Sequence, residues 1–195
     1  MSAASQLKQE NDRLHRYLST VKELYWATQT ISAEENLLYA LNQLLYKVMT
    51  VVGAKDGSVS RLNPDTGELV FLLVHGELGR QLPDFRIKSN IGIAGWVVSN
   101  QQPIIVNNPR EDPRFSEIVD KEFGFFTNCI ASAPVMRRGH VKGVTQLLNK
   151  RGNDFIEEDV VLLLILGQVA AIVFEELERR HGDGEPEEED PFAML

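Results

Sequence analysis

The chain has very little cysteine, because Cys129 is the only one among its 195 residues. A single cysteine cannot form an intramolecular disulfide bond, and it cannot build a cysteine-rich metal site. The histidines do not suggest a metal site either, because they lie far apart in the sequence and lack the short spacings of metal ligands. They are His15, His75, His140 and His181. We therefore expect no metal site and a reducing compartment, the cytoplasm.

Long apolar runs are also missing. Residues 1–12 contain no apolar segment of the kind that signal peptides need. The most apolar run, residues 160–174, contains Gln168 and is shorter than the roughly 20 residues that cross a membrane. We expect no membrane partner, and we interpret this run as part of a buried core helix.

Positively charged residues are fewer than negatively charged ones, and most of the negative excess lies in the last 15 residues. The net charge is −8, and residues 181–195 contribute −6 of it without any Lys or Arg, which leaves −2 for residues 1–180. No basic surface of the kind that binds nucleic acid is predicted. The acidic tail 181–195 is expected to be disordered. Its apolar tip, Phe192 and Leu195, is either a docking peptide for a signalling partner or the accidental end of a solubilising tail.

Sequence signatures of catalysis are lacking as well. Gly92 and Gly95 occur without the third glycine of a dinucleotide loop and without the lysine of a P-loop. None of the serines sits in a nucleophile-elbow pattern. The Cys129 thiol either packs in the core or lines a pocket. We therefore expect a protein that is not an enzyme.

What the sequence does contain begins with a helical pattern over residues 1–31. Apolar residues recur at alternating spacings of four and three, which places them on one seam of a helix. This pattern predicts a coiled-coil helix that forms a homodimer, although an amphipathic helix packed on its own domain would show a similar pattern. The predicted seam consists of Leu7, Leu14, Leu18, Val21 and Tyr25.

The remainder, residues 32–180, has an α+β pattern. A second helix with a capping-box spacing at Ser32 is followed by a hairpin, short elements, a second hairpin and a long last helix. The hairpins are predicted at 57–62 with 69–74 and at 128–136 with 141–148, and the helix at 156–180. Antiparallel strands with helices segregated in sequence favour a two-layer fold with a central antiparallel sheet.

The segment 107–127 mixes polar groups with aromatic rings, as the cover of a small-molecule pocket would. An ordinary loop whose aromatic side chains fill the core remains the alternative. On the pocket interpretation, the predicted ligand-binding residues are Asn107, Asp112, Phe115, Phe125, Thr127 and Cys129.

Taken in order, five segments closely resemble a GAF domain: GIAGWVV, QPIIVNN, DPRF, GFFTNCIASAPV and GVTQLLNK, which begin at residues 92, 102, 112, 124 and 143. The resemblance covers about residues 34–178. It implies a module that binds small molecules, dimerises and rarely catalyses. GAF-type photoreceptors attach a bilin to a cysteine that His follows; Ile130 follows Cys129 here, so a bilin is not expected.

The resemblance also extends to a motif found in GAF domains that bind cyclic nucleotides. Asn149, Lys150, Phe155 and Asp159 match it, and Val160 stands where the motif has Glu. The resemblance implies that Lys150 and Asp159 form a salt bridge that braces the pocket. The departure at Val160 argues against a cyclic nucleotide as the ligand.

Together these features predict a cytoplasmic, dimeric, small-molecule-sensing signalling module without catalytic activity. The sequence does not name the ligand or a cofactor. The alternative is a ligand-free adaptor that dimerises and docks a partner. Either protein would need another protein for its output.

Overall fold

The computed structural model describes residues 3–33, 35–77, 79, 85–152 and 154–182. The predictions for Phe192 and Leu195 in the acidic tail lie outside the described residues. Two 3-10 turns, Ile31–Ala33 and Pro109–Glu111, accompany the longer elements. These are α1 (Ala3–Thr30), α2 (Leu37–Val52), β1 (Ala54–Asn63), β2 (Glu68–His75), β3 (Arg86–Lys88), α3 (Gly92–Asn100), β4 (Ile104–Val106), α4 (Ile118–Phe123), β5 (Ile130–Arg137), β6 (His140–Lys150) and α5 (Glu157–Gly182).

The strands form one antiparallel sheet in the order β3-β2-β1-β6-β5-β4. The predicted α+β fold with a central antiparallel sheet flanked by helices is therefore confirmed. Both predicted hairpins are present, as β1–β2 and β5–β6. Strand β3 was not predicted, because three residues are too few to display a period of two.

The start of α2 differs from the prediction. Ser32 does not open this helix, because residues Ile31–Ala33 form a separate 3-10 turn. Instead Asn36 is the N-cap, and its Oδ1 accepts a hydrogen bond of 2.9 Å from the backbone N–H of Tyr39. The helix ends at Gly53, whose left-handed conformation (φ 83°) lets its N–H bond the Met49 carbonyl.

The last helix, α5, is the centre of the helical layer. It packs on β5 and β6 and contacts α1 and α2. By length and composition it is the one helix in the described part of the chain that could cross a membrane. Because 56% of its apolar window is buried inside the fold, we interpret it as a core helix. Its fully buried apolar side chains include Leu162, Leu163, Leu166, Val169, Ala170 and Val173.

Helix α1 uses two different faces. One face packs on the core through Tyr17, Thr20 and Leu24, so the expectation of a helix packed on its own domain holds for that face. The predicted seam lies on another face, where Val21 is half-buried and the remaining four side chains are exposed by half or more. The structure thus leaves this apolar seam open to solvent, and the homodimer stays a prediction. The exposed members are Leu7, Leu14, Leu18 and Tyr25.

We expect the protein to sediment as a dimer at tens of micromolar, with the seams of two α1 helices in contact. The double substitution Leu14→Asp and Leu18→Asp should give monomers, because it places charges in an apolar contact. Lys22→Asp, which changes an exposed residue outside the seam, is the matched control and should remain dimeric. A wild-type monomer in sedimentation velocity at that concentration would contradict the prediction.

Candidate functional site

A cavity of about 100 Å³ lies on the face of the sheet opposite α1, α2 and α5. This volume is several times the roughly 10–15 Å³ that one water molecule needs on the same measure. The floor is made by alternate residues of β1 and β6, including Asp56, Ser58, Gln146 and Leu148. The period of two along each strand brings these side chains to one face. The walls come from α3 and from the segment between β4 and β5.

The cavity wall is mainly apolar with a few polar groups, as small-molecule sites are. Ser116, Asp120 and Thr127 supply polar groups from the covering segment. Apolar surface comes from both the sheet and the cover, including Phe71, Ile93, Phe115, Phe125, Ile130 and Leu148.

The covering segment is fixed by the buried carboxylate of Asp120. This carboxylate accepts hydrogen bonds from the backbone N–H (3.0 Å) and the hydroxyl (2.6 Å) of Thr127. It also pairs with the guanidinium of Arg110, which bonds Glu117 as well. The same guanidinium lies 4.5 Å from the ring centroid of Phe126. Arg110 was not predicted as a site residue, yet it joins both ends of the cover.

Helix α3 reaches the cavity because it packs against the preceding turn at very short range. A Cβ at Gly95 would lie 2.6 Å from the backbone carbonyl carbon of Asn90, so no other residue fits there without a backbone shift. Gly95 therefore serves close packing. The close approach places Ile93 and Ala94 in the cavity wall.

Three of the six predicted ligand-binding residues meet at this cavity: Phe115, Phe125 and Thr127 all line it. Asn107 lies elsewhere, because its side-chain amide bonds both the N–H (2.9 Å) and the carbonyl (3.1 Å) of Phe155. It connects the cover to the start of α5 and has a structural role here.

Asp112 and Cys129 also lie away from the cavity lining. Asp112 forms an ion pair with Arg114, and the hydrogen bonds from this guanidinium lower the pKa of the Asp112 carboxyl. Cys129 packs in the main core, where its Sγ accepts the backbone N–H of Lys150 at 3.3 Å. Burial raises the pKa of its thiol, which opposes thiolate chemistry.

The floor residues Asp56, Ser58 and Gln146 were missed from the sequence. The available signal was polar side chains at alternate positions of two otherwise apolar strands. Such residues would have to point from the sheet into a polar or hollow environment. The pattern shows that these side chains share one site only when the strand register is known, because the register places Ser58 opposite Gln146.

The predicted structural motif lies at the corner where β6 turns toward α5. Asn149 has a left-handed backbone (φ 57°), and both the oxygen and the nitrogen of its side-chain amide form hydrogen bonds. Its Oδ1 accepts the N–H of Asn128 at 2.8 Å, and its Nδ2 donates to the Phe126 carbonyl at 3.0 Å and to Asp56 Oδ2 at 3.2 Å. Asn149 therefore ties the cavity floor to the cover.

The next residue, Lys150, forms the expected salt bridge with Asp159, with 2.5 Å between Nζ and Oδ2. Both side chains are buried, at 8% and 0% exposure. Asp159 also accepts the N–H of Ile156 at 3.0 Å, which fixes the first turn of α5. Phe155 is buried beside this pair, with its ring centroid 5.9 Å from Lys150 Nζ.

A third donor to Asp159 comes from α1. The hydroxyl of Tyr17 bonds Asp159 Oδ1 across a sequence separation of 142 residues. Burial, followed by this hydrogen bond, raises the pKa of Tyr17 well above its ordinary value of 10.0. The corner motif therefore holds α1 as well as α5.

Comparison with known proteins agrees with this geometry. A family model described as GAF domain matches residues 37–175. The chain belongs to the GAF domain family, whose members are small-molecule-sensing signalling modules.

Curated relatives include a probable 3',5'-cyclic phosphodiesterase, pde-5, of Caenorhabditis elegans. It is 28% identical over 142 residues, which are 71% of this chain and 17% of the relative. A cGMP-specific 3',5'-cyclic phosphodiesterase of Drosophila melanogaster is 36% identical over 77 residues, 38% of this chain and 7% of the relative. The chain thus spans less than one fifth of these relatives' lengths.

Solved structures share the fold. The GAF domain of a phosphoenolpyruvate-protein phosphotransferase from Coxiella burnetii has a TM-score of 0.74 at 20% identity, covering 85% of this chain and 98% of that one. The free methionine-R-sulfoxide reductase of Neisseria meningitidis has a TM-score of 0.65 at 16% identity, covering 80% and 89%. At these identities the likeness concerns the fold alone.

We expect Lys150→Met to lower the free energy of unfolding by about 3–5 kcal/mol, because it leaves a buried carboxylate without its cation. Tyr17→Phe removes only one hydrogen bond to that carboxylate and should cost about 1.5–3 kcal/mol. Tyr39→Phe, at an exposed position of α2 outside the α1 seam, is the control and should change it by less than about 0.5 kcal/mol. Urea denaturation measures all three. Equal effects of Tyr17→Phe and Tyr39→Phe would contradict the role of Tyr17.

The raised pKa of Tyr17 also predicts a loss of stability at alkaline pH. The folded state keeps this phenol protonated, so its stabilising contribution is complete below pH 10, the ordinary pKa. It is lost as the pH rises from there toward the folded pKa. The stability difference between wild type and Tyr17→Phe should therefore shrink between pH 8 and pH 11 in urea titrations. A difference that stays constant or grows would overturn this assignment.

Proposed function

We propose that this domain senses a small molecule held in the cavity between the sheet and the segment 107–127. The observation that carries the proposal is the partly enclosed, largely apolar cavity with a polar floor. Its cover is fastened by the Asp120 contacts with Arg110 and Thr127, so ligand and cover can stabilise each other. Membership of the GAF family supports the same function.

The domain acts in this proposal by binding and without catalysis. The single thiol, Cys129, is buried in the core on the other side of the sheet and its pKa is raised. The two carboxylates in the cavity wall, Asp56 and Asp120, already accept hydrogen bonds from neighbouring groups of the protein. These contacts suit fixed structural anchors better than groups that exchange protons with a substrate.

Cyclic nucleotides are one candidate class of ligand, because the curated relatives are named as cyclic-nucleotide phosphodiesterases. The matching corner residues Asn149 and Lys150 do not decide this question, since their side chains brace the fold. The ligand-free adaptor is the second candidate. The exposed α1 seam favours it, because that seam offers a contact surface whether or not the cavity is filled.

Output would pass from the cavity to α1 through contiguous contacts. Asn149 bonds Asp56 of the floor, and the adjacent Lys150 pairs with Asp159, which in turn accepts from Tyr17. A ligand that favours one arrangement of this corner would bias the position of α1, and with it a cytoplasmic dimer. Residues 181–195 are proposed as the segment that docks a signalling partner.

A ligand that binds the folded state should raise the melting temperature by mass action. We expect this from at least one compound in a thermal-shift panel of cyclic nucleotides, nucleosides, nucleobases and small amides. Ser58→Leu, which fills the cavity floor, should abolish the shift. Ser99→Leu, at an exposed position of α3 outside the lining, is the matched control and should retain it.

A panel in which no compound raises the melting temperature, or in which Ser58→Leu responds like wild type, would contradict the sensor proposal. In the first case the adaptor becomes the better account. In the second case the ligand binds somewhere other than this cavity.

A further inference from the structure

The floor of the cavity carries a row of polar side chains across neighbouring strands. Ser58 lies directly opposite Gln146 in the pairing of β1 with β6, and Gln146 lies opposite Ser132 in the pairing of β6 with β5. Asp56 is two residues before Ser58 and shares its face of β1. The polar row of the cavity, Asp56, Ser58 and Gln146, is thus fixed by strand register, whereas Ser132 lies outside the lining.

Most of this polar row lacks partners inside the protein. Ser58 and Gln146 make no side-chain hydrogen bond within the described part of the chain, although both line the cavity. Polar side chains that face a cavity without a protein partner can hydrogen-bond a molecule that enters it, so the row is suited to this role.

Asp56 gives the polar row a negative charge, and no described Lys or Arg forms an ion pair with it. Its Oδ1 accepts the backbone N–H of Glu77 at 2.8 Å, and its Oδ2 accepts the Asn149 amide at 3.2 Å. Both donors are neutral, and a carboxylate has about four acceptor positions, so capacity for further donors remains. Asp120 differs, because Arg110 pairs with it.

The described lining contains no Lys or Arg, and His75 is its one basic side chain. A negative ligand group would therefore meet the Asp56 charge without a Lys or Arg beside it. The repulsion is stronger in a partly enclosed site than in water, because the local dielectric constant is lower. A neutral N–H donor, in contrast, finds acceptors at Asp56, Ser58 and Gln146.

We propose that the polar row selects an uncharged, planar ligand with N–H donors on one edge, such as a cyclic amide or an amino-substituted heterocycle, and disfavours anions. The apolar rings of Phe115 and Phe125 would contact the flat faces of such a molecule. This inference rests on the proposed sensor function and specifies the ligand class of the same cavity.

The test uses pairs of probes in which one member is neutral and the other is an anion: nicotinamide with nicotinate, adenosine with cyclic AMP, and guanosine with cyclic GMP. Affinities are measured by isothermal titration calorimetry on the full chain. In at least one pair, the neutral member should bind wild-type protein roughly tenfold or more tightly than the anion. A tenfold ratio of dissociation constants corresponds to a difference of about 1.4 kcal/mol in binding free energy.

Two variants assign the effect to the polar row. Asp56→Asn keeps a hydrogen-bond acceptor and removes the charge. The ratio of the affinities for the neutral and the anionic member should therefore fall toward one. Gln146→Met removes the amide with little change in size and should weaken the neutral member by roughly three- to tenfold. Asp112→Asn, which changes a carboxylate outside the cavity lining, is the control and should leave the ratio unchanged.

The outcomes separate this inference from the function on which it rests. If no probe binds wild type or Asp56→Asn, both the sensor proposal and the ligand class fail. If probes bind but the anionic members bind as tightly as their neutral partners, the ligand class alone is wrong. A preference for the neutral members that is unchanged in Asp56→Asn would also overturn the inference, because Asp56 would then not be its cause.

Discussion

The buried carboxylate of Asp159 is the contact on which the arrangement of this domain depends. It is fully buried, and it takes hydrogen bonds from Lys150 at the end of β6, from Ile156 at the start of α5 and from Tyr17 in α1. An unpaired carboxylate in such a place would cost several kcal/mol, so these donors are required. One charge therefore fixes the relative positions of a strand and two helices.

The same corner connects the helical layer with the cavity on the other face of the sheet. Asn149 precedes Lys150, and its amide holds both the floor residue Asp56 and the cover residue Phe126. The cavity and α1 thus share two adjacent residues of β6. Cover, floor and helix are connected by direct bonds, which gives the proposed sensor a short physical route from the cavity to the exposed seam of α1.

The sequence predicted those features that depend on local pattern. The strand pattern predicted the hairpin of β5 and β6, the apolar run 160–174 predicted α5, and the family resemblance implied the pairing of Lys150 with Asp159. Long-range contacts were less accessible: Tyr17 bonds a residue 142 positions away, and Asp56 bonds Asn149 across 93. No local signal marks such partners, because they are set by how the elements pack.

Two of the predicted residues, Asn107 and Cys129, lie outside the cavity lining for different physical reasons. Asn107 is a polar side chain in a loop, and the sequence cannot show whether its amide faces a ligand or satisfies nearby backbone groups. In the fold it bonds the backbone of Phe155. Cys129 precedes β5 and has its side chain in the core, whereas Ile130 faces the cavity. A shift of one residue exchanges the two faces of a strand.

The central claim, that the cavity holds a small molecule, is tested most directly by native mass spectrometry of protein freshly purified from its own host. The account predicts a non-covalent mass excess in the native spectrum that disappears under denaturing conditions and is absent from Ser58→Leu. Identical masses for wild type under native and denaturing conditions would contradict it.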